Sequence, residues 1–512
     1  MKHNLLFIIA LFFCAFSFGQ GELDAYRFSN NDLSGTARGQ AMGGAFGALG
    51  GDVTGVAINP AGLGVYRSSE VVANVSLASS LTGGNSFRES TNKFSFDNLS
   101  YISYYPLIKG SMLSLNFGFN YNRIKDFNRT YNTSRSNMKS SLTDYMLAIT
   151  DGVYRTDFDK DPYDNTNLSW LSILAWDGYL IDPKENGAID EYQSILDTDE
   201  QVSPYLRVSE KGKIESYDFS VGSSIADRFY WGVTVAITDI SYVMTSDYEE
   251  NFLGSKGGGF QLDNYLETQG SGFQFKTGII FKPVDALRIG LAYHSPTWYT
   301  MTDYYNATAV PNGIYDDKGN LAKKVSTPEQ AYANYYLRTP GAVTLSFAGV
   351  LGTKAIISMD YELKNYASMN LKDNDAYNIF DENEKIKNNY KNASTIRTGL
   401  EYRFTPQFSG RLGYAYMQNP FDKSITEIGK KLEGVGTVPH YTLSNSTSYY
   451  TGGFGYRFTP QFYIDFAMTL RVQNDDLYFF QPIMFAGAEV DSYQGEYTNK
   501  TLKGLLTFGY KF

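Results

Sequence analysis

With a single cysteine, three histidines and four tryptophans in 512 residues, the chain has little from which to build thiolate, zinc or disulfide chemistry. Cys14 lies in an apolar leader, so a processed chain would carry no cysteine at all. Long hydrophobic runs are also missing. Only 43% of the residues are hydrophobic and the mean hydropathy is -0.31, which excludes helical membrane spans. Positive charge is scarce as well: 44 Lys and Arg face 54 Asp and Glu, for a formal charge of -10 and a pI near 5.0. That balance argues against a nucleic-acid partner.

What the chain has in excess is aromatic: 42 Tyr and 35 Phe. Its first residues read as a secretory signal peptide over 1–20, with Lys2, the apolar stretch Leu5 to Phe16, and small residues Ser17 and Gly19 before Gln20. Export of an aromatic-rich chain without membrane helices points to strands that cross a membrane as a closed barrel.

Period-two alternation tests this, because a barrel strand turns one face to lipid and the other to the lumen. In Leu113 to Tyr121 one face is Leu113, Leu115, Phe117, Phe119, Tyr121 and the other Ser114, Asn116, Gly118, Asn120. Ile396 to Phe404 sets Ile396, Thr398, Leu400, Tyr402, Phe404 against Arg397, Gly399, Glu401, Arg403. The same pattern runs through Phe273 to Phe281, Leu287 to Tyr293, Tyr450 to Phe458, Ile464 to Leu470 and Leu502 to Phe512. The last, ending in Phe512, is similar to the terminal signal by which outer-membrane barrels meet the barrel-assembly machinery.

Tight turns are expected at Leu107 to Ser111, Ala226 to Arg228, Pro283 to Ala286, Leu351 to Lys354, Thr405 to Gln407 and Thr459 to Gln461. Phe-Thr-Pro-Gln-Phe occurs twice, at 404–408 and 458–462, with proline in the turn where its missing N–H is harmless. Long polar stretches alternate with these turns: Thr82 to Phe96, Asp126 to Lys213, Glu249 to Gly270, Thr300 to Asn334, Ala367 to Ala393, Asn419 to Ser446 and Asn474 to Asn499. The expectation is an all-β, antiparallel transmembrane barrel of about fourteen strands over 70–512, both termini periplasmic and long loops outside, the largest 126–213. Residues 21–69, rich in Gly and Ala and without alternation, are expected to plug the lumen.

Within that plug, Gly35-Thr36-Ala37-Arg38, Ala41 to Phe46 with Gly43 and Gly44, Gly50-Gly51-Asp52 and Asn59-Pro60-Ala61-Gly62-Leu63 resemble the N-terminal hatch of FadL/TodX outer-membrane transporters. The resemblance implies a Gram-negative outer-membrane location among phospholipid and lipopolysaccharide. It also implies passive uptake of hydrophobic small molecules, such as long-chain fatty acids or aromatic hydrocarbons, gated by the hatch, with no cofactor. Hatch and gating candidates are Gly43, Gly44, Asn59, Pro60, Ala61 and Gly62. Trp170, Leu171, Ile173, Leu174 and Trp176 form an apolar patch in the longest loop that suits an external groove or the packing of a loop helix. Arg397, Arg403 and Arg457 are lumenal candidates for a ligand head group, with a structural ion-pair lattice as the alternative. Barrel components of a Gram-negative protein-secretion system, which bind exported proteins, share this style of barrel and are the rival reading.

Other signals carry less. Gly43 to Gly51 lacks the Gly-Lys-Ser/Thr of a phosphate loop. His294-Ser295 is no dyad, because neighbours on a strand point to opposite faces, and no Gly-x-Ser-x-Gly is present. Asp157, Asp159 and Asp161 begin like a calcium loop, but Pro162 and Leu168 occupy the positions of its glycine and bidentate glutamate. Neither catalytic residues nor a metal site is expected.

Overall fold

The computed structural model describes residues 21–84, 88–108, 110–165, 168–197, 199–255, 257–329, 331–422, 425, 432, 436–492 and 494–512. The signal peptide expected at 1–20 lies outside them. Fourteen antiparallel strands form the wall. They are β1 (Glu70–Gly83), β2 (Arg88–Pro106), β3 (Met112–Asp126, continued as Arg129–Ser134), β4 (Val202–Ile225), β5 (Phe229–Phe252), β6 (Gly259–Val284) and β7 (Leu287–His294, continued as Trp298–Asn312). Then come β8 (Ala331–Arg338, continued as Ala342–Leu351), β9 (Ala355–Asn365, continued as Asn370–Lys372), β10 (Asn392–Arg403), β11 (Phe408–Met417), β12 (Tyr441–Arg457), β13 (Phe462–Tyr478) and β14 (Gln494–Lys511). Pairing of β1 with β14, from Glu70↔Lys511 to Gly83↔Thr498, closes the barrel and leaves no free sheet edge at the seam.

The wall follows from the alternation. Leu77, Phe117, Phe219, Phe275, Leu291, Phe347, Leu400 and Phe454 point outward and are exposed, while Asn74, Ser100, Asn116, Thr234, Ser346 and Thr469 point inward and are buried. A contiguous outward apolar belt has no place in water and is at home in lipid. The six tight turns fall where the sequence places them, between β2 and β3, β4 and β5, β6 and β7, β8 and β9, β10 and β11, and β12 and β13.

The other ends of the strands correct the sequence reading. Thr82 to Phe96 and Glu249 to Gly270, expected as long loops, are mostly strand: Gly83 pairs with Arg88, and Asn251 with Gly259. Much of 300–312 and 202–213 is strand too. Alternation persists there but changes sense. Beyond Ile237, β5 turns Asp239, Ser241, Thr245 and Asp247 outward, and Tyr242, Met244 and Tyr248 inward. Past the bilayer the outer face meets water and the inner face supports a core. A search for apolar-out strands therefore reads these segments as loop.

That core is a cap over the barrel mouth. Loop helices α4 (Leu142–Thr150) and α5 (Trp170–Asp177) pack with the inner faces of β4 and β5 and with Phe479 and Phe480 into one continuous cluster. Ser141 caps α4, and buried Glu250 accepts from the Ser141 hydroxyl, from the Leu142 N–H at 3.1 Å and from the Tyr248 hydroxyl at 2.5 Å. Burial pushes the Glu250 carboxyl up to about 7.

Candidate functional site

Residues 21–69 run inside the barrel as α1 (Glu22–Ser29), α2 (Ala37–Ala41), α3 (Val53–Ile58) and a 3-10 turn, Pro60–Val65. A segment this irregular leaves many backbone groups without internal partners, and each must find one. The wall supplies them. Asp360 of β9 accepts from the N–H of Phe46 and Gly47, both at 3.0 Å. Thr507 accepts from Ala37 at 2.7 Å, Thr451 from Gly43 at 3.1 Å, and Asn116 donates to the Leu63 carbonyl at 2.7 Å.

Asn59-Pro60-Ala61 is the tightest part of this seat. The Asn59 side chain caps the 3-10 turn by accepting from the Ala61 N–H at 3.1 Å, with Pro60 in the first position, where no N–H is wanted. Its amide donates to the carbonyls of Gly47, at 2.8 Å, and Ile279, at 3.1 Å. Opposite it the wall has given up its side chains. A methyl at Gly278 would overlap the Asn59 amide, one at Gly232 would overlap the Pro60 carbonyl, and one at Gly290 would stand 2.6 Å from the Gly47 carbonyl oxygen. Further round, a methyl at Gly399 would stand 2.5 Å from the Met42 carbonyl oxygen. Gly43 and Gly44, with φ of 63° and 75°, turn the chain beside it. Gly62, buried, accepts from the Gly51 N–H at 3.2 Å and joins the two halves of the hatch. Gly43, Gly44, Asn59, Pro60 and Ala61 therefore lie against the wall, and Gly62 packs within the hatch behind them.

Charge reinforces the seat. Arg38 of α2 makes two bonds to Glu401, at 2.8 and 3.0 Å; Glu401 also holds Arg411 at 2.6 Å, and Arg411 reaches Asp465 at 2.5 Å. This is an ion-pair lattice between hatch and wall. Arg397 belongs to a similar pair, 2.9 Å from Glu362. Arg403 and Arg457 correct the expectation of lumenal arginines: both are exposed at the turn-side rim, where the strands have run past the end of the hatch. His294 touches the Ile58 carbonyl at 2.8 Å, while Ser295 accepts from the Phe275 N–H at 2.9 Å, so the two serve the hatch and a strand break separately.

Of the two places expected for the apolar loop patch, an external groove or the packing of a loop helix, the patch takes the second. Trp170, Leu171, Ile173 and Leu174 are buried and Trp176 is half-buried, because α5 spends its apolar surface on the cap core. Trp170 packs on Tyr305, with ring centroids 5.1 Å apart.

Beneath the cap the wall opens. Strands β2 and β3 are paired from Pro106↔Ser114 to Asn98↔Asn122 and no further. A bulge between Arg123 and Lys125 turns β3 away, and its continuation pairs with β4 alone. Across the opening, among the described residues, side chains meet: Lys93 reaches Asp126 at 3.0 Å, Asn132 reaches Glu89 at 3.1 Å, and Arg123 lies 3.8 Å from Asp97. Asp32 of the hatch takes up what β3 releases. Its N–H donates to the Ile124 carbonyl at 2.8 Å, and its carboxylate accepts from the Asp126 N–H at 3.2 Å and lies 3.4 Å from the Lys125 ammonium.

A chamber lies behind this gap, between α1 and the wall. Leu23, Leu33, Phe127, Met244 and Leu266 give it apolar surface, and Arg27, Lys125, Arg129 and Arg471 give it charge. These cations are paired in turn with Asp24, Asp32, Glu210 and Asp32. His440 also lines it, and burial lowers its imidazole to about 4. Sequence reasoning missed Asp32, the gap and the glycine row. Of these only the row had a signal, glycines at inward positions of alternating strands.

No curated protein matches the chain in sequence. The family model described as outer membrane protein transport protein (OMPP1/FadL/TodX) matches residues 259–512. Among solved structures, a Pseudomonas aeruginosa FadL homologue aligns over 94% of this chain and 99% of its own at TM-score 0.54 and 14% identity. A deltaS2 mutant of the TodX monoaromatic hydrocarbon channel aligns over 93% and 98% at 0.50 and 11%. The Pseudomonas putida toluene transporter TodX aligns over 94% and 99% at 0.48 and 12%. Likeness at such low identity speaks for the fold, and the family model speaks for descent. Together they make this chain a FadL/TodX-type outer-membrane β-barrel, with the family's signature in residues 259–512.

Proposed function

We propose that the protein takes up hydrophobic small molecules passively, receiving them beneath the loop cap and releasing them sideways through the gap between β2 and β3. The observation that carries this reading is that the gap opens on a chamber which the hatch closes from inside. An apolar solute that left by the lumen would have to cross a hatch hydrogen-bonded to the wall. The gap opens instead beside Phe94 and Phe96 of β2, which point outward toward lipid. The chamber, apolar with a charged mouth, suits an amphipathic molecule with one polar end, such as a long-chain fatty acid, better than a wholly apolar one. Asp32 is the gating residue of this scheme, since it is the hatch group that holds the free edge of β3. Gly43, Gly44 and Asn59 to Gly62 then serve as the fixed seat from which that end of the hatch moves.

The test is a clamp across the gap. In a K93C/D126C variant, a short thiol-reversible cross-linker is expected to abolish uptake of a labelled fatty acid, and reduction to restore it. Cys14, in the expected leader, does not interfere. Unchanged uptake in the cross-linked protein would overturn the lateral route.

A further inference from the structure

The strands that run down to the tight turns end alike. At each, one backbone N–H donates to a carbonyl of the hairpin before it: Lys282 to Arg228 at 2.7 Å, Arg403 to Lys354 at 2.7 Å, Arg457 to Gln407 at 2.9 Å and Lys511 to Gln461 at 2.9 Å. Ala226 and Val350 hold the two other equivalent stations, each with a bond of 2.8 Å, so four stations of six carry a cation.

All four cations stand on the lumenal face. Arg403 pairs with Ser409, two residues beyond the pair of Glu401 with Arg411 that faces the hatch. Arg457 is opposite Tyr463, whose hydroxyl donates to Glu70 at 2.8 Å, and Lys511 is opposite Glu70 itself. Lys282 lies two residues past Ile280, which packs on Ala61 of the hatch. The neighbouring rings of Tyr402, Phe404, Tyr456 and Phe458 point the other way and are exposed. Rings on the lipid side hold the rim at the membrane interface, while its cations overhang the aqueous mouth below the hatch.

Part of this crown is already neutralised: Lys282 lies 2.8 Å from Asp227 and 3.3 Å from Asp285, and Lys511 lies 3.7 Å from Glu70. Arg403, Arg457 and the adjacent Lys354 are exposed, and among the described residues their side chains have no ion pair or hydrogen bond. In a chain of formal charge -10, an arc of unpaired cations on one rim is set to attract an anion. Spacing says which kind. From Arg403 the ladder crosses Ser409 to Gly455, and Arg457 follows two residues on; from Arg457 it crosses Tyr463 to Gly509, and Lys511 follows two residues on. Each step is therefore about 12 Å. A phosphate or acetate ion covers one station. An extended polypeptide, rising about 3.3 Å per residue, brings a carboxylate to every station when each third or fourth residue is acidic.

We propose that this lumenal crown docks an acidic polypeptide segment of a periplasmic partner, recognised through its carboxylates by Arg403 and Arg457 with Lys354 and Lys511 on either side. The docked chain lies under the anchored end of the hatch, where Arg38 meets Glu401. Its periplasmic origin rests on the turns facing that compartment.

Fluorescence anisotropy of the purified barrel in an uncharged detergent tests the site, with a fluorescein-labelled peptide of repeated Glu-Gly-Gly-Ser and a Gln-Gly-Gly-Ser peptide as its neutral twin. The glutamate peptide is expected to bind at low salt, the neutral twin not to, and added salt to weaken the complex. R403Q/R457Q should lose about fivefold in affinity per arginine. R403K/R457K should keep most of it, and K323Q/K324Q, which removes as much charge from a long loop, all of it. D227N, which frees Lys282, should bind the glutamate peptide more tightly. Equal binding of the two peptides by the wild type overturns the proposal, and so does wild-type affinity in R403Q/R457Q. Displacement by millimolar inorganic phosphate, beyond that by sodium chloride of equal ionic strength, marks a site for the free ion and overturns it too. Retained heat-modifiable migration shows that the variants are folded. Orientation is read separately: a Q407C variant labelled by an impermeant maleimide on intact cells would put the crown outside and overturn the periplasmic partner, leaving peptide recognition to its own test.

Discussion

The two ends of the hatch are built differently. From Gly39 to Gly64 it lies backbone against backbone on wall glycines, with an Asn-capped turn and an arginine lattice behind it. From Glu22 to Asp32 it is held mostly by side chains: Phe28 in the cap core, Glu22 gripped by Asn389 at 3.0 and 2.9 Å, and Asp32 on the edge of β3, where its N–H adds one backbone bond, to Ile124. Backbone contacts at van der Waals limits have one arrangement, whereas side-chain pairs have several. The contrast teaches that the seat is an anchor and that motion, if the hatch moves, belongs to the other end.

The harshest way to break this contrast is to fill the seat. Gly278→Leu forces a side chain into the space of Asn59, beyond the roughly 1–3 kcal/mol of ordinary overpacking. It is expected to unseat the hatch while the wall still closes, and influx of a bulky hydrophilic dye into proteoliposomes measures that. Dye exclusion in a folded G278L barrel would show that the seat yields.

Glu401→Ala comes next. It leaves buried Arg411 and half-buried Arg38 without their shared partner, an expected loss of about 3 kcal/mol, read as a lower temperature for heat-modifiable migration.

The cap, which holds α1, should respond to pH. The Glu250 carboxyl titrates near 7 when the cap is closed and near its ordinary value when open, so the closed state binds the extra proton. Closure is then strongest below about pH 4.5 and weakens as pH rises through 7, by up to roughly 3 kcal/mol. Thiol labelling of an A175C variant, corrected for reagent pH dependence, should quicken over that range, and Glu250→Gln should flatten the profile.

The gentlest change sharpens the contrast. Asp32→Asn keeps the bond from its own N–H and loses one charge, worth about 1–2 kcal/mol. It is expected to leave barrel melting nearly unchanged and to raise fatty-acid uptake. If uptake stays put while Gly278→Leu changes it, the mobile end is the seat after all.

Much of the wall was legible because lipid imposes a rule that one residue in two obeys: Leu113 to Tyr121 and Ile396 to Phe404 could be placed without coordinates. Legibility ended where the solvent changed. Beyond Ile237 the same period carries polar side chains outward, and β5 runs on to Phe252, so that its last residues, from Glu249, read as loop. Asn59-Pro60-Ala61 was readable because capping and proline geometry are local. Asp32 was not: its role depends on Ile124 and Asp126, brought beside it only when β3 leaves β2. Arg403 and Arg457 had the right parity, but parity gives a face and not a height.

The glycines of the wall have one more consequence. Gly232, Gly278, Gly290 and Gly399 are places where the barrel is thinner than its strand number implies, hollowed to the shape of one particular insert. A chain stripped of residues 21–69 would not revert to a narrow bore filled by its own side chains. It would leave a cast of the missing segment, wider along those strands than elsewhere, and its conductance would report the volume of the insert more directly than the diameter of the cylinder.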